Sequence, residues 1–357
     1  MRALHQLVAG YTCGDAISNE ARVMRALFRQ WGMASEIYCE LSRAAPEVRG
    51  DVREARTLGG DLAPDDGVLL HLSIGSPVNL VFREVKARRA VRYHNITPAE
   101  YFYGIRESTA HALALGREQA AALSTVAEVN LADSEYNAAE LVAWGYRDPC
   151  VVPLLLDFSG EHNLRPSRTV LRKFSDGLRN VLFVGRCVPN KRLEDVLSAF
   201  AVYQRTVEPA SRLIHAGSAA GVERYHAMLL AKTREMRLRN VEWLGSVRQE
   251  DLVALYRSAH VFLCMSEHEG FCIPLLEAMF HEVPVVAYAA AAVPETLDGA
   301  GILVRQKRFD WIAESLHLAA SPGPVREALL TGQRARLRRY LDRNLEAELR
   351  SALRGWL

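Results

Sequence analysis

Two glutamates, Glu269 and Glu277, stand with seven residues between them in the stretch SEHEGFCIPLLEAM, and two basic residues, Arg186 and Lys191, lie upstream in VLFVGRCVPNK. Paired carboxylates first suggest hydrolysis of a glycosidic bond. That chemistry needs both groups on converging supports about 5–10 Å apart across one bond. Here Glu269 precedes a turn and Glu277 falls about one turn into a helix, so the two address different parts of one extended ligand. Carboxylates next to a phosphate site serve as acceptors for hydroxyl groups, which means sugar rings. A nucleotide joined to a second sugar through a diphosphate has that shape. The diphosphate then needs positive charge, which Arg186 can supply as a fork on phosphate oxygens and Lys191 as a point charge.

The local elements fit this use. The apolar run His260–Cys264 reads as a buried strand, Gly270 frees the backbone to turn, and Pro274 suits the first position of a helix that continues through Leu275–Met279. A strand, a tight turn and a helix start are what open α/β sheets use at their carboxyl edge, where first-turn amides receive phosphate.

Such elements recur along the chain. Strands are expected at Ala3–Ala9, Ser35–Cys39, Gly67–Leu72, Ala90–His94, Val129–Ala132 and Cys150–Leu155, and again at Asn180–Gly185, Arg212–Ala216, Val241–Leu244, His260–Cys264, Pro284–Tyr288 and Gly301–Val304. Met24, Leu27, Phe28 and Trp31 share one helical face that Gly32 ends, and a long helical region fills Tyr101 to Thr125. The polar stretch Asp157–Leu178 has no period and reads as a linker. Two alternating series imply an α/β protein of two doubly wound domains facing a central cleft. Their expected limits are 1–160 and 161–335, with a C-terminal helix over 336–357 packing back toward the first.

Composition agrees. At 357 residues the chain exceeds one ordinary core, and its 49% hydrophobic and 24% charged fractions are those of a soluble globular protein. A net charge of +2 argues against a nucleic-acid partner. The six cysteines, Cys13, Cys39, Cys150, Cys187, Cys264 and Cys272, are scattered without a CxxC pair or a secretory leader, so they read as reduced thiols of a cytoplasmic protein. No run reaches the ~18–20 apolar residues of a membrane span. The basic segment Arg83–Arg89 is either an exposed helix end or a weak peripheral contact with the inner face of a membrane. There is no DxD, no HExxH and no clustered His/Cys set, so no metal is expected and no cofactor beyond the donor substrate.

The set EGFxxPxxEAM resembles the E-x7-E signature of retaining glycosyltransferases of family 4. The resemblance extends over most of the chain through Gly185, Arg186, Pro189 and Lys191, through Val293-Pro-Glu295 and Ala300-Gly301, and through Tyr93-His-Asn95 and Asp133-Ser-Glu135. It implies a GT-B fold of two Rossmann-like domains, with the acceptor mainly on the first and the nucleotide sugar on the second. Arg186 and Lys191 would neutralise the diphosphate, and Glu277 would accept from the ribose hydroxyls. Glu269 would contact the transferred sugar, assisted by the amides of Gly270, Phe271, Cys272 and Ile273. Gly245 to Val247 would lie near the base. The ring of His94 would donate to the transferred sugar near the reacting carbon, and Gly14-Asp15 would lie near acceptor and phosphate. The first loop carries one glycine where relatives often have two, and Ala289–Ala292 stand where many have paired glycines, so no role is carried to those alanines.

The function implied is retaining transfer of a hexose, mannose or similar, from a GDP- or UDP-sugar to a glycan or lipid-linked acceptor in polysaccharide or glycoconjugate biosynthesis. Arg186, Lys191 and the helix start would stabilise the departing diphosphate. No side chain stands out as a covalent nucleophile, which favours same-face attack with the leaving phosphate taking the proton. The competing readings are a sugar-nucleotide epimerase or phosphorylase on the same fold, and a non-catalytic partner subunit. Local alternatives are helix caps at Asp15 and Ser134 and a core role for His94.

Overall fold

A computed structural model describes all residues except 61, 157 and 159–163. The chain forms two compact units. The first comprises Met1–Tyr103, Glu107–Leu156 and Asn344–Leu357, and the second comprises Gly104–Arg106 and Asp157–Arg343.

The first unit is built on seven parallel strands: β1 (Leu4–Val8), β2 (Ile37–Cys39), β3 (Arg53–Glu54), β4 (Gly67–Leu72), β5 (Arg88–Tyr93), β6 (Val129–Ala132) and β7 (Cys150–Val151), in the order β3-β2-β1-β4-β5-β6-β7. Its central strands are buried from end to end, as sheets covered on both faces require. β1 and β4 pair from Leu4↔Gly67 to Val8↔His71. Helix Ala16–Gln30 lays Ala21, Met24 and Phe28 into the core, and Gly32 ends the turn at φ +87°. Leu349, Leu353 and Trp356 complete a cluster with Leu4, Phe28, Leu69 and Leu131. A Cβ added to Gly67 would stand 2.7 Å from the Trp356 ring, so the start of β4 and the indole fit only with glycine.

The second unit carries six parallel strands: β8 (Arg179–Val184), β9 (Ser211–Ala216), β10 (Val241–Trp243), β11 (Val261–Cys264), β12 (Val285–Tyr288) and β13 (Ile302–Val304), in the order β10-β9-β8-β11-β12-β13. The strand order reverses between β8 and β11. That switch point is where the loops leaving two neighbouring strands diverge and open a crevice.

Several boundaries differ from the sequence reading. The expected strand Cys150–Leu155 keeps only Cys150–Val151, and the helical region Tyr101–Thr125 resolves into a turn at Ala99–Tyr101 and a helix Glu107–Ala122. Within Asp157–Leu178, which lies partly outside the described residues, Arg168–Phe174 is a helix capped by Ser167; Phe174 is its buried residue. The arginine-rich tail is two helices, Pro324–Leu341 in the second unit and Leu345–Ala352 in the first, because Asn344 caps a new helix start by accepting from the Ala347 amide at 2.9 Å. The basic segment Arg83–Arg89 joins the end of helix Pro77–Glu84 to the start of β5, with Arg88 paired to Glu128 at 3.3 Å. Among the described residues no helix is long and apolar enough to cross a membrane.

Candidate functional site

In the second unit three strands lead into glycines. Gly185 follows β8, Gly217 follows β9 and Gly245 lies just beyond β10. The Gly185 amide donates to Ala216 O at 2.9 Å and the Gly217 amide to Gly245 O at 2.8 Å, so the three loops are laced together by main chain. A Cβ on Gly217 would lie 1.8 Å from the Gly185 carbonyl oxygen, a contact that only a bare backbone permits. His215 reinforces the turn, its Nε2–H donating to that same carbonyl at 3.0 Å. Burial pushes the His215 pKa down to about 4, against a smaller opposing effect of this hydrogen bond.

Beyond Gly185 the chain places Arg186 in solvent, where its guanidinium makes no ion pair or hydrogen bond with described residues. The following turn, Pro189–Lys191, is stitched to the loop after β11. The Glu267 amide donates to Asn190 O at 2.9 Å, and Asn190 Nδ2 donates to His268 O at 3.0 Å. This brings Lys191 Nζ to 2.6 Å from Glu269 Oε1, with side chains only 16% and 10% exposed. Burial pulls the Lys191 pKa down, but the Glu269 carboxylate outweighs it and the ammonium titrates above its ordinary range. Arg192, at φ +51°, and Lys307 both bind Asp195 and Glu267, which ties the two loops a second time.

The turn Glu269–Cys272 then enters helix Ile273–Phe280. Pro274 is its second residue, one place later than the sequence suggests, and Cys272 precedes it at φ +70° without a side-chain cap. Pro274 brings no amide N–H to the first turn, and the Leu275 amide donates to Cys272 O at 3.1 Å. The turn is braced from behind: the Ala292 amide donates to Glu269 O at 3.2 Å and the Thr296 hydroxyl donates to Phe271 O. Ala291, one of the four consecutive alanines, adopts φ +50°, a left-handed conformation that glycine takes more readily. Phe271 and Cys272 are buried, whereas Gly270 and Ile273 are half-exposed. Glu277 is half-buried on the helix and accepts from the Tyr256 hydroxyl at 2.7 Å. Gly245, at φ +66°, has open space where a side chain would stand, and Val247 is half-buried.

The sequence reading treated the cysteines as scattered. The fold brings two of them together: Cys264 at the end of β11 and Cys272 in the turn are both buried, their sulfurs and a Glu269 oxygen lie within 4.8 Å of one another, and Cys264 Sγ–H donates to Ser266 Oγ at 3.4 Å.

In the first unit, His94 follows β5 and its side chain is 2% exposed. Its Nδ1 faces Asp133 Oδ2 at 2.9 Å and its Nε2 faces His71 Nδ1 at 2.8 Å. The ring donation to a sugar that the resemblance implies thus finds both nitrogens occupied; the half-exposed part of this residue is its main chain. His71 Nε2 meets Gln6 Oε1 at 2.9 Å, and Gln6 Nε2 donates to Ala21 O at 3.0 Å. Burial, followed by the positive charges of His94 and Arg92, pushes the His71 pKa well below the ordinary histidine value. Arg92, fully buried, pairs with Glu20 at 2.8 Å and Asp133 at 3.0 Å. Asp15 caps helix Ala16–Gln30, accepting from the Ser18 amide and hydroxyl at 2.9 Å each, while Gly14 takes φ +72° beside it. Ser134 caps helix Glu135–Ala143 by accepting from the Asn137 amide at 3.1 Å.

Gln6, Glu20, His71, Arg92, Gly217 and Lys307 were not singled out from the sequence. Three carried a signal: Gln6, His71 and Arg92 are polar residues set inside the strand runs LHQLV, GVLLHL and RRAVRY.

Residues 172–335 match the family described as Glycosyl transferases group 1. The chain is 29% identical over 201 residues, 55% of its own length and 51% of the relative's, to the O-antigen chain mannosyltransferase B of Escherichia coli. It is 32% identical over 166 residues, 45% of this chain and 43% of the relative, to the GDP-mannose:cellobiosyl-diphosphopolyprenol alpha-mannosyltransferase of Xanthomonas campestris. These matches thus span about half the length of the curated relatives. The Anabaena protein HepE, solved in complex with UDP-glucose, shares the fold at TM-score 0.71 and 15% identity, with 99% of this chain and 98% of that one covered. Two Rossmann-like units with parallel sheets of seven and six strands are the GT-B arrangement.

Proposed function

We propose that this chain, which carries a glycosyl transferases group 1 domain at residues 172–335, is a retaining hexosyltransferase. It moves mannose or a similar hexose from a nucleoside-diphosphate sugar to a glycan or lipid-linked acceptor. The observation that carries this reading is the juxtaposition of Lys191 and Glu269 at 2.6 Å across the switch point between β8 and β11. It sets a cation suited to phosphate beside a carboxylate suited to sugar hydroxyls, with the exposed Arg186 on the same loop and Glu277 on the adjoining helix.

In this reading Arg186 and Lys191 grip the diphosphate, and the positive end of helix Ile273–Phe280 faces the same anion. Their charge is in place before reaction, so it stabilises the departing diphosphate without reorganisation. Glu269, beside Lys191, accepts from hydroxyls of the transferred hexose, and Glu277 accepts from the ribose. The laced glycine loops leave room near Gly245 and Val247 for the base. Retention follows from same-face attack, the acceptor hydroxyl passing its proton to the leaving phosphate. The names of the mannosyltransferase relatives favour GDP-mannose as donor and an O-antigen-type or diphospholipid-linked glycan as acceptor. Action on such an acceptor would take place at the cytoplasmic face of a membrane.

The test is incubation of the purified chain with radiolabelled GDP-mannose, UDP-glucose and related donors, with and without lipid-linked oligosaccharide. Label transferred to acceptor, with the anomeric configuration of the donor kept, supports the reading. A new sugar nucleotide formed without acceptor identifies an epimerase instead, and calorimetry showing no binding of any nucleotide sugar removes the enzymatic reading altogether.

A further inference from the structure

We propose that Cys264, Cys272 and Glu269 form a binding site for a soft divalent cation such as Zn²⁺ or Cd²⁺, and that its occupancy shuts off the sugar-handling carboxylate. The second half of this inference rests on the function proposed above; the site itself does not.

The two thiols and one Glu269 oxygen lie within 4.8 Å of one another. Metal–sulfur bonds of about 2.3 Å and metal–oxygen bonds of about 2.0–2.2 Å hold tetrahedral ligands slightly closer than this, so small side-chain rotations suffice. The main chain fixes the three supports: Cys264 ends β11, Cys272 is held at φ +70°, and the Glu269 carbonyl is tied to the Ala292 amide. Two sulfurs and one oxygen select Zn²⁺ or Cd²⁺ over Mg²⁺ or Ca²⁺. Access is graded. Cys264 is 1% exposed, Cys272 6% and Glu269 9%, so the cation enters from the carboxylate side.

The charge balance also fits. The cluster now pairs a Glu269 anion with the Lys191 cation at 2.6 Å. When the metal binds, each thiol releases its proton to solvent and both sulfurs bond as thiolates. Two thiolates, one carboxylate and a divalent cation sum to −1, which Lys191 still neutralises. The ammonium loses its place on Glu269, however, and the carboxylate no longer accepts from a sugar hydroxyl. Lys191 and the metal therefore compete for the same carboxylate.

The experiment uses the full chain with its exposed thiols removed (Cys13→Ser, Cys150→Ser) and titrates Cd²⁺ alone, reading thiolate-to-cadmium charge-transfer absorption and equilibrium dialysis. One cadmium per chain with a two-thiolate band is expected. Cys264→Ser should weaken binding by roughly 100-fold, at or above what the loss of an outer-shell partner costs. Lys191→Met should tighten it, a gain that a merely structural role of the cluster would not produce. Circular dichroism checks the fold of each variant; if Cys264→Ser does not fold, Glu269→Gln removes the third ligand and is read the same way. No charge-transfer band, or a band unchanged in the folded ligand variant, overturns the site. In the transfer assay, Zn²⁺ should inhibit, a chelator should restore the rate, and Cys264→Ser should be insensitive. Cadmium binding with undiminished transfer overturns the inhibitory role alone, and absence of any transfer counts against the proposed function while the absorption data still decide the site.

Discussion

The Nδ1 atom of His71 and the Nε2 atom of His94 face each other at 2.8 Å, and their neighbours dictate which one carries the proton. Gln6 spends its amide donor on Ala21 O, so its oxygen must accept from His71 Nε2–H. The other nitrogen of a neutral His71 is then an acceptor, and His94 donates to it. At its far side His94 meets a carboxylate, Asp133, and donates again. The partners thus call for a donor at both His94 ring nitrogens, beside the Arg92 pairs with Glu20 and Asp133. Nitrogen-15 NMR of the histidine rings should show both His94 nitrogens protonated and His71 as the Nε2–H tautomer. A single-proton His94 would refute this ordering. His71→Leu leaves two polar groups without partners and should lower stability by about 2–4 kcal/mol in chemical denaturation.

Lys191 and Glu269 form a mostly buried pair, which makes single truncations costly. Removing either partner strands the other charge, and a loss of about 3 kcal/mol is expected for Lys191→Met or Glu269→Gln. The double variant should recover at least about 1 kcal/mol of the summed loss in a double-mutant cycle. Additive losses would mean that the ion pair is not formed in solution. Both single variants should lose transfer activity, since each removes a group assigned to the donor.

Two glycines of the same loop cluster separate a packing constraint from a backbone preference. Gly217→Ala drives a methyl group into the Gly185 carbonyl, which cannot move without breaking the β8–β9 lacing; a loss above about 3 kcal/mol is expected. Gly245→Ala meets no atom within 4 Å and carries only the cost of its φ of +66°, about 1–2 kcal/mol. Equal effects of the two substitutions would contradict the close approach of these loops.

His215 ties the fold to pH. Its pKa falls to about 4 in the folded unit through burial, whereas the unfolded chain protonates near the ordinary value of about 6.5. The folded state therefore binds fewer protons, and the associated stability is fully present above pH ~6.5 and lost as pH falls toward ~4, a total of roughly 3 kcal/mol. Burial also depresses His71 and His260, so the contribution is isolated by difference. His215→Gln keeps a donor for Gly185 O and should flatten the stability profile in that window. An unchanged slope would show that His215 is protonated in the native state.

Much of the fold could be read from the chain because a parallel strand covered on both faces must be an uninterrupted apolar run. Gly67–Leu72 and Val129–Ala132 have the limits that the residues suggest. The two-residue β3 and the helix Arg168–Phe174 lack this imprint, since the helix buries a single residue and so has no stripe to detect. At the site, the residue types and the turn before helix Ile273–Phe280 were legible from composition and spacing. The direct contact of Lys191 with Glu269 was not, because it depends on two loops that only sheet order makes neighbours. The meeting of Cys264 and Cys272 was hidden for a related reason: a turn folds back between them, and no CxxC spacing announces it. Ala291 conceals its left-handed backbone in a run of four alanines, where glycine would have advertised it.

Residues 344–357 belong to the first unit, although the whole of 157–343 intervenes. A ribosome must therefore deliver the second sheet before Leu349, Leu353 and Trp356 exist to seal the first. Until then Leu4, Phe28 and Leu69 have an open flank.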